Sequence, residues 1–273
     1  MRSARKVPLV ATKDGALVAR HENEISETTD VEEREEFADR ETTKSIDGRS
    51  VTGRFTEDFT LAELKTLRVD ERLPELRQEN TIHDGLYEIP TFDEVLALAR
   101  NNGTGRARPI GVYPETKHST YFDSIGLSLE EPLVQALRSH GLADRNAAMF
   151  VQSFETNNLR ELDAMVEVRL VQLIGGGSDG PADGSGLTYE HMSTAAGLRT
   201  IASYADGVGP DKNRVIPVGR QPRRADRLRA RTTPPTYRSS TTRCSWGCPT
   251  VRSASRHVFT VSACPVRPRS SRS

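Results

Sequence analysis

Residues 1–243 contain no cysteine; the chain's three cysteines, Cys244, Cys248 and Cys264, all lie near its end. The main body therefore holds no disulfide framework, and at this size it needs none to bury a core. Aromatic residues are scarce, at 5% of 273, and the one tryptophan, Trp246, sits in the same terminal stretch. No apolar run approaches the roughly 20 residues of a membrane-spanning helix. Residues 1–6 are basic, but the apolar run after them is too short and too polar for a signal peptide, so no export address is expected as the chain is written. Formal net charge is zero, which by itself implies no partner. The zero conceals a segregation: acids outnumber bases by about a dozen over residues 1–218, while 219–273 holds about a dozen arginines against one acid, Asp226.

That terminal stretch lacks helical and strand periodicity. Arginine-rich tails can bind nucleic acid, but aromatics are sparse here and no nucleic-acid-binding fold is evident, so 219–273 reads as a disordered basic tail. Cys244, Cys248 and Cys264 with His257 do not have the spacing of a standard structural zinc site.

What is present in the body is alternation. Residues 6–12 and 16–20 read as short strands around the turn Lys13-Asp14-Gly15, and His21-Glu22-Asn23 comes where regular structure ends. Residues 24–88 are charged and poor in long apolar runs, too long for an ordinary connection, and read as an inserted subdomain. Thr60-Leu61-Ala62-Glu63, Thr91-Phe92-Asp93-Glu94 and Ser128-Leu129-Glu130-Glu131 are capping boxes opening helices. Apolar runs at 109–113, 148–151 and 170–174 read as buried strands, and helices are expected through Leu159, Leu162 and Met165 and over 189–204. Last short runs lie near 205–208 and 214–218. This order is the parallel βα pattern. Gly175-Gly176-Gly177-Ser178 lacks the Gly-Lys-Ser/Thr ending of a phosphate loop and reads as a surface loop.

The stretch Ile110-Gly111-Val112-Tyr113-Pro114-Glu115-Thr116-Lys117-His118 carries the chemistry. Its apolar run ends at Pro114 and four polar residues come next, as when a parallel strand stops at the rim of an α/β fold, where active sites lie. Glu115 offers a hard anionic oxygen and Lys117 a cation two residues on, able to project from the same side. A carboxylate for a divalent metal beside an ammonium for an anion suits phosphate-ester chemistry. A plain surface ion pair at a strand end is the alternative reading.

Several segments, in order, resemble the bacterial glycerophosphodiester phosphodiesterase family. Thr12-Lys13-Asp14-Gly15-Ala16-Leu17-Val18-Ala19-Arg20-His21-Glu22-Asn23 is similar to the segment around the family's second catalytic histidine. Arg54-Phe55-Thr56-Glu57-Asp58-Phe59-Thr60-Leu61-Ala62-Glu63-Leu64 is similar to its insertion. Tyr113-Pro114-Glu115-Thr116-Lys117-His118, Gln152-Ser153-Phe154-Glu155 and Tyr204-Ala205-Asp206-Gly207-Val208-Gly209-Pro210 continue it. The resemblance implies a TIM barrel, a divalent metal (Ca2+ or Mg2+), and hydrolysis of a small-molecule glycerophosphodiester to glycerol 3-phosphate and an alcohol. It implies His21 as a catalytic proton-transfer group, Glu115 as a metal ligand and Lys117 as a substrate-binding cation. Glu22 is a possible helper, and His83, His118, His140 and His191 are expected on the surface.

The departures from the family are specific. A first strand with His-Arg-Gly is absent, and where the family has Glu-Pro-Asp this chain reads Lys6-Val7-Pro8-Leu9-Val10, without an acid. After Ile216-Pro217 the basic tail replaces the last strands, as a reading-frame shift would. The expectation is an incomplete phosphodiesterase-type TIM barrel over 1–218, with 24–88 inserted and 219–273 disordered. Its function is metal-dependent phosphodiester hydrolysis, the alternative being a catalytically inactive fragment. On this fold Ile110, Val112, Phe150, Val151, Val171 and Leu173 are buried, and Glu115 and His21 share one rim.

Overall fold

The structure is a computed structural model that describes residues 4–103 and 110–215. The chain divides into two compact units, Met1–Asp211 and Lys212–Ser273. The expected disordered tail at 219–273 and the cysteine–histidine set lie outside the described residues.

In the first unit, β1 (Ala4–Ala11) and β2 (Leu17–Ala19) form an antiparallel hairpin, with Leu9 opposite Ala19 and Ala11 opposite Leu17. A second hairpin, β3 (Thr42–Ile46) and β4 (Arg49–Gly53), stands apart from the main sheet. Next come α1 (Leu61–Leu64), α2 (Phe92–Gly103), β5 (Gly111–Thr116), α3 (Ser119–Ser124), α4 (Glu130–Ser139), β6 (Val151–Ser153), α5 (Thr156–Met165), β7 (Leu170–Ile174), α6 (Tyr189–Met192), α7 (Ala195–Ile201) and β8 (Gly207–Pro210). Of the second unit, one helical turn is described, α8 (Lys212–Val215). The expected run at 214–218 is thus helical at Arg214 and Val215.

The main sheet has the order β2-β1-β5-β6-β7-β8, and every pair but β1/β2 is parallel. Parallel neighbours need crossovers, and the helices between strands supply them. This is the α/β architecture of a TIM barrel, and among the described residues its sheet is open. Leu9, Val112, Val151, Leu170 and Ile174 join Leu96, Leu133, Leu137, Leu159 and Leu162 of the helices in one core.

The strand alternation decides which expected core positions are covered. Val112, Val151 and Val171 are buried, but Ile110, Phe150 and Leu173 are only half-buried. Leu173 alternates with Gln172 and Ile174, so it lies on the sheet face opposite the helices, which an open sheet leaves partly uncovered. Phe150 instead packs edge-on to Tyr113 at 5.9 Å and lies under the Arg169 guanidinium at 4.1 Å.

Local signals fare unevenly. Thr60 and Thr91 accept from the backbone of Glu63 and Glu94, whose carboxylates accept in return, so both capping boxes form. Ser128 stands one residue before Leu129, the N-cap position of α4, and still caps the helix start: its hydroxyl accepts from the Glu130 amide at 3.3 Å and contacts the Glu131 carboxylate. The helix expected over 189–204 breaks at Ser193, because Thr188 and Thr194 each cap a separate turn. Gly197 makes that junction possible: a Cβ there would collide with the His191 carbonyl oxygen.

Residues 24–88 do not form a core of their own. Ile25, Val31, Phe37, Phe59, Leu64 and Leu67 share the core containing Leu9, Val18 and Phe92. Phe37 meets Phe59 edge-on at 5.0 Å, with the Arg40 guanidinium over both rings. Buried Glu57 accepts hydrogen bonds from Asn23 Nδ2 (3.0 and 3.2 Å), Lys44 Nζ (3.1 Å) and Tyr121 Oη (2.6 Å). One carboxylate thereby joins the segment after β2 to β3 and α3.

If the insertion shares the body's core, Phe59→Ala destabilises the whole unit by about 3–5 kcal/mol. Urea unfolding followed by circular dichroism is expected to keep one cooperative transition at a lower midpoint. A separate early transition of residues 24–88 would contradict the shared core.

Candidate functional site

β5 does not stop at Pro114. It runs on to Thr116, because a proline removes only its own N–H from the ladder, and Pro114 and Glu115 stay in register with Val7 and Pro8 of β1. Glu115 is therefore a strand residue with no exposed surface, facing Gln152 of β6 in register. A buried carboxylate must find compensation. Lys6 Nζ lies 2.5 Å from Glu115 Oε2, and Gln152 Nε2 donates to the same oxygen at 3.3 Å. Oε1 has no hydrogen bond, and Lys117 Nζ stands 3.8 Å from it. Glu115 and Lys117 do project from one side, as their spacing implies.

Beyond the strand, the Lys117 amide donates to the Leu9 carbonyl at 3.1 Å, holding the rim loop against β1. His118 then adopts a left-handed conformation (φ 55°) and opens α3. Glu22, from the loop after β2, stands among His21, Lys117 and His118. Its Oε1 is 2.6 Å from His21 Nδ1 and 3.9 Å from Lys117 Nζ, and its Oε2 is 3.0 Å from His118 Nε2. His118 Nδ1 contacts Asp47 Oδ2 at 2.6 Å. Asp47 has φ 50° and precedes Gly48 at φ 75°, the Asp-Gly pair of a tight hairpin turn joining β3 to β4. Asp47 and His118 are the non-glycine residues with positive φ among those described, and they hold each other.

The electrostatics follow from these contacts. Burial works against ionisation of Glu22. Hydrogen bonds from His118 and His21, with the Lys117 charge, outweigh it and hold the carboxyl well below the usual range. Burial likewise works against a charged His118. Its bonds to Asp47 and Glu22 outweigh that, and its pKa is raised to about 9. Deeper along the sheet, burial pushes Tyr113 up to about 12, helped by the Glu115 charge. Burial also raises Glu155, against hydrogen bonds from the Thr120 amide and hydroxyl.

Of the site residues expected from sequence, His21 and Lys117 meet at Glu22, and Glu115 joins them through Lys117. His21 is exposed, and its Nε2 makes no hydrogen bond among the described residues. His118, expected on the surface, has only 11% of its side chain exposed and belongs to the cluster. Its place in an unbroken run of polar rim residues was the available signal. His140 is also mostly covered and pairs with Asp93 at 2.9 Å, whereas His83 and His191 are exposed. Lys6 and Asp47 were not singled out from sequence, because each reaches the cluster from a distant segment.

The expectation of Glu115 as a metal ligand meets a donor set that does not fit. Among the described residues, Glu115 stands between two ammonium groups, and the other rim carboxylates, Glu22 and Asp47, are paired with His21, Lys117 and His118, whereas calcium takes six to eight oxygens. Among the described residues, carboxylates converge instead at Asp123, Glu130 and Glu161, within 4.8 Å of one another and able to hold a metal. That group joins α3, α4 and α5 and includes none of the rim residues. Burial and the charges of Glu130, Glu161 and neighbouring acids push Asp123 up to about 6.

The model of the glycerophosphoryl diester phosphodiesterase family matches residues 9–233. A glycerophosphodiester phosphodiesterase of Arabidopsis thaliana is 32% identical over 222 residues, covering 77% of this chain and 58% of the plant protein. One from Haemophilus influenzae is 23% identical over 223 residues, covering 74% and 59%. The chain thus spans less than two thirds of the length of these curated relatives, which come from a plant as well as a bacterium. A solved structure from Silicibacter pomeroyi, described as a glycerophosphoryl diester phosphodiesterase, superposes with a TM-score of 0.52 at 17% identity, over 76% of this chain and 64% of that one. At that identity the likeness concerns the fold.

The raised His118 pKa has a signed consequence. The stabilisation from its charged pairs is fully present below about pH 6.5, the unfolded value, and is lost as pH rises through about 9. His118→Asn removes that dependence. Between pH 6 and 9.5 the wild type is expected to lose about 3 kcal/mol more than the variant, measured by urea unfolding at each pH. A difference independent of pH would contradict the assignment.

Proposed function

Because the chain belongs to the glycerophosphoryl diester phosphodiesterase family, we propose that the rim cluster is a phosphodiesterase site that hydrolyses glycerophosphodiesters to glycerol 3-phosphate and an alcohol. One observation carries this reading: an exposed imidazole, His21, is held through Nδ1 by Glu22, beside the ammonium of Lys117. Hydrolysis of a phosphodiester adds water across one P–O bond. It needs the phosphate charge met, the attacking water deprotonated and the departing alkoxide protonated. Glu22 accepting from Nδ1–H leaves Nε2 of neutral His21 as the base, and the resulting imidazolium as the acid. Lys117 faces the phosphate, and His118, charged below about pH 9, adds positive charge while keeping both nitrogens engaged.

The family resemblance implies Ca2+ or Mg2+. With one carboxylate at Glu115, the rim gives such an ion too few ligands, and no step here runs through it. A second reading, an inert chain, is favoured by a separate observation: His118 is committed on both ring nitrogens, so one free imidazole must serve both proton transfers. The first reading implies slow turnover, because each properly placed acid or base contributes roughly 10²- to 10⁴-fold, and the second implies none.

The assay is release of glycerol 3-phosphate from glycerophosphocholine and glycerophosphoethanolamine, with glycerol-3-phosphate dehydrogenase as the readout. The wild type is expected to give a slow but saturable rate, and His21→Ala to lower kcat about 100-fold or more with KM little changed. A rate unaffected by His21→Ala would overturn the role of His21. Absence of any saturable rate would favour the inert reading.

A further inference from the structure

We propose that the Lys6 ammonium takes, on Glu115, the place that a divalent cation would otherwise fill, so that the rim is completed by a covalently tethered cation. The inference builds on the reading of the rim as the reactive site, but it stands on the surroundings of Glu115 alone.

Glu115 has no exposed surface, and Lys6 Nζ lies 2.5 Å from its Oε2. Lys6 comes from β1, opposite Tyr113 in the parallel register, so its long stem crosses from one strand to the carboxylate two residues further along the next. Its side chain is 48% exposed, in keeping with an apolar stem lying on the sheet and one end open to water. Gln152 donates to the same oxygen at 3.3 Å, so Oε2 already has two donors.

A divalent ion on Oε2 would have to displace Lys6. One on Oε1, which has no hydrogen bond, would stand against Lys117 Nζ at 3.8 Å. Another carboxylate of the cluster, Glu22, is already shared by His21, Lys117 and His118. Like charges at such distances repel strongly where water is excluded. The arrangement is therefore satisfied by monovalent cations and crowded for a divalent one. Lys6 meets the Glu115 charge while Lys117 is shared with Glu22, whereas a calcium ion added there leaves positive charge uncompensated.

The test reads cation binding and melting, and so stands or falls apart from the hydrolysis assay. The full chain carries Glu161→Gln throughout, to silence the separate acidic group at Asp123, Glu130 and Glu161. In that background calcium and magnesium chloride are titrated by calorimetry and by thermal melting, with sodium chloride matched in ionic strength. With Lys6 present, no binding that Glu115→Gln removes is expected at millimolar concentrations. Lys6→Ala is expected to melt lower, to bind calcium at least ten-fold more tightly, and to recover melting temperature with calcium or methylammonium. Glu115→Gln added to Lys6→Ala abolishes the recovery. If Lys6→Ala does not fold, Lys6→Gln takes its place in every arm. Calcium binding in the Lys6-containing chain that depends on Glu115 would overturn the proposal. So would a Lys6 variant that no cation stabilises.

Discussion

A carboxylate with no access to water must be met by positive charge, and at Glu115 that requirement organises the rim. Extending β5 past Pro114 buries Glu115 among strands rather than leaving it on a loop. Once buried, it draws Lys6 across from β1, fixes the Gln152 amide of β6 and places Lys117 over its second oxygen. Removing either counter-charge would leave an uncompensated buried ion, which costs far more than any surface pair. The register of three parallel strands and the charge balance of the site are thus one constraint seen twice.

From Lys117 outward the same logic repeats among less deeply buried partners. Glu22 lies between Lys117, His21 and His118, and His118 passes the chain of contacts to Asp47. The inserted segment reaches the rim through Asp47, at the tip of the β3–β4 hairpin. Both Asp47 and His118 hold the left-handed backbone that non-glycine residues usually avoid. Such strain persists where surrounding contacts over-determine it. Here their mutual hydrogen bond and the buried Glu57 network that ties the insertion to α3 supply those contacts. The insertion is therefore a wall of the site built on the body's own core.

What was legible in the sequence was mainly what local chemistry dictates. The capping boxes at Thr60 and Thr91, the first hairpin around Gly15 and the βα alternation depend on neighbours in sequence. So did the approach of Glu115 and Lys117, since Lys117 follows the end of β5 directly and its amide still bonds to β1. At Ser128 the cap also forms, shifted by one residue: Leu129 is already helical, and the Ser128 hydroxyl accepts from the Glu130 amide. The break within 189–204 is local as well: Thr188 and Thr194 each cap three residues on, and Gly197 closes against His191, but the apolar periodicity running across the break hides it. Lys6 and Asp47 escaped notice because no local pattern reports a partner more than 70 residues away. His118 escaped because a histidine in a polar run is ordinarily solvated, and its burial depends on Asp47. The matched family explains the order of the segments, but the cation on Glu115 is visible only in three dimensions.

The central claim, that Lys6 and not a divalent ion neutralises Glu115, is tested most directly by a crystal structure grown in high calcium, with anomalous data to locate the metal. The account predicts Lys6 Nζ in hydrogen-bonding contact with Glu115 Oε2 and no anomalous peak within coordination distance of either Glu115 oxygen. An anomalous peak on Glu115, with Lys6 turned out to solvent, would contradict it.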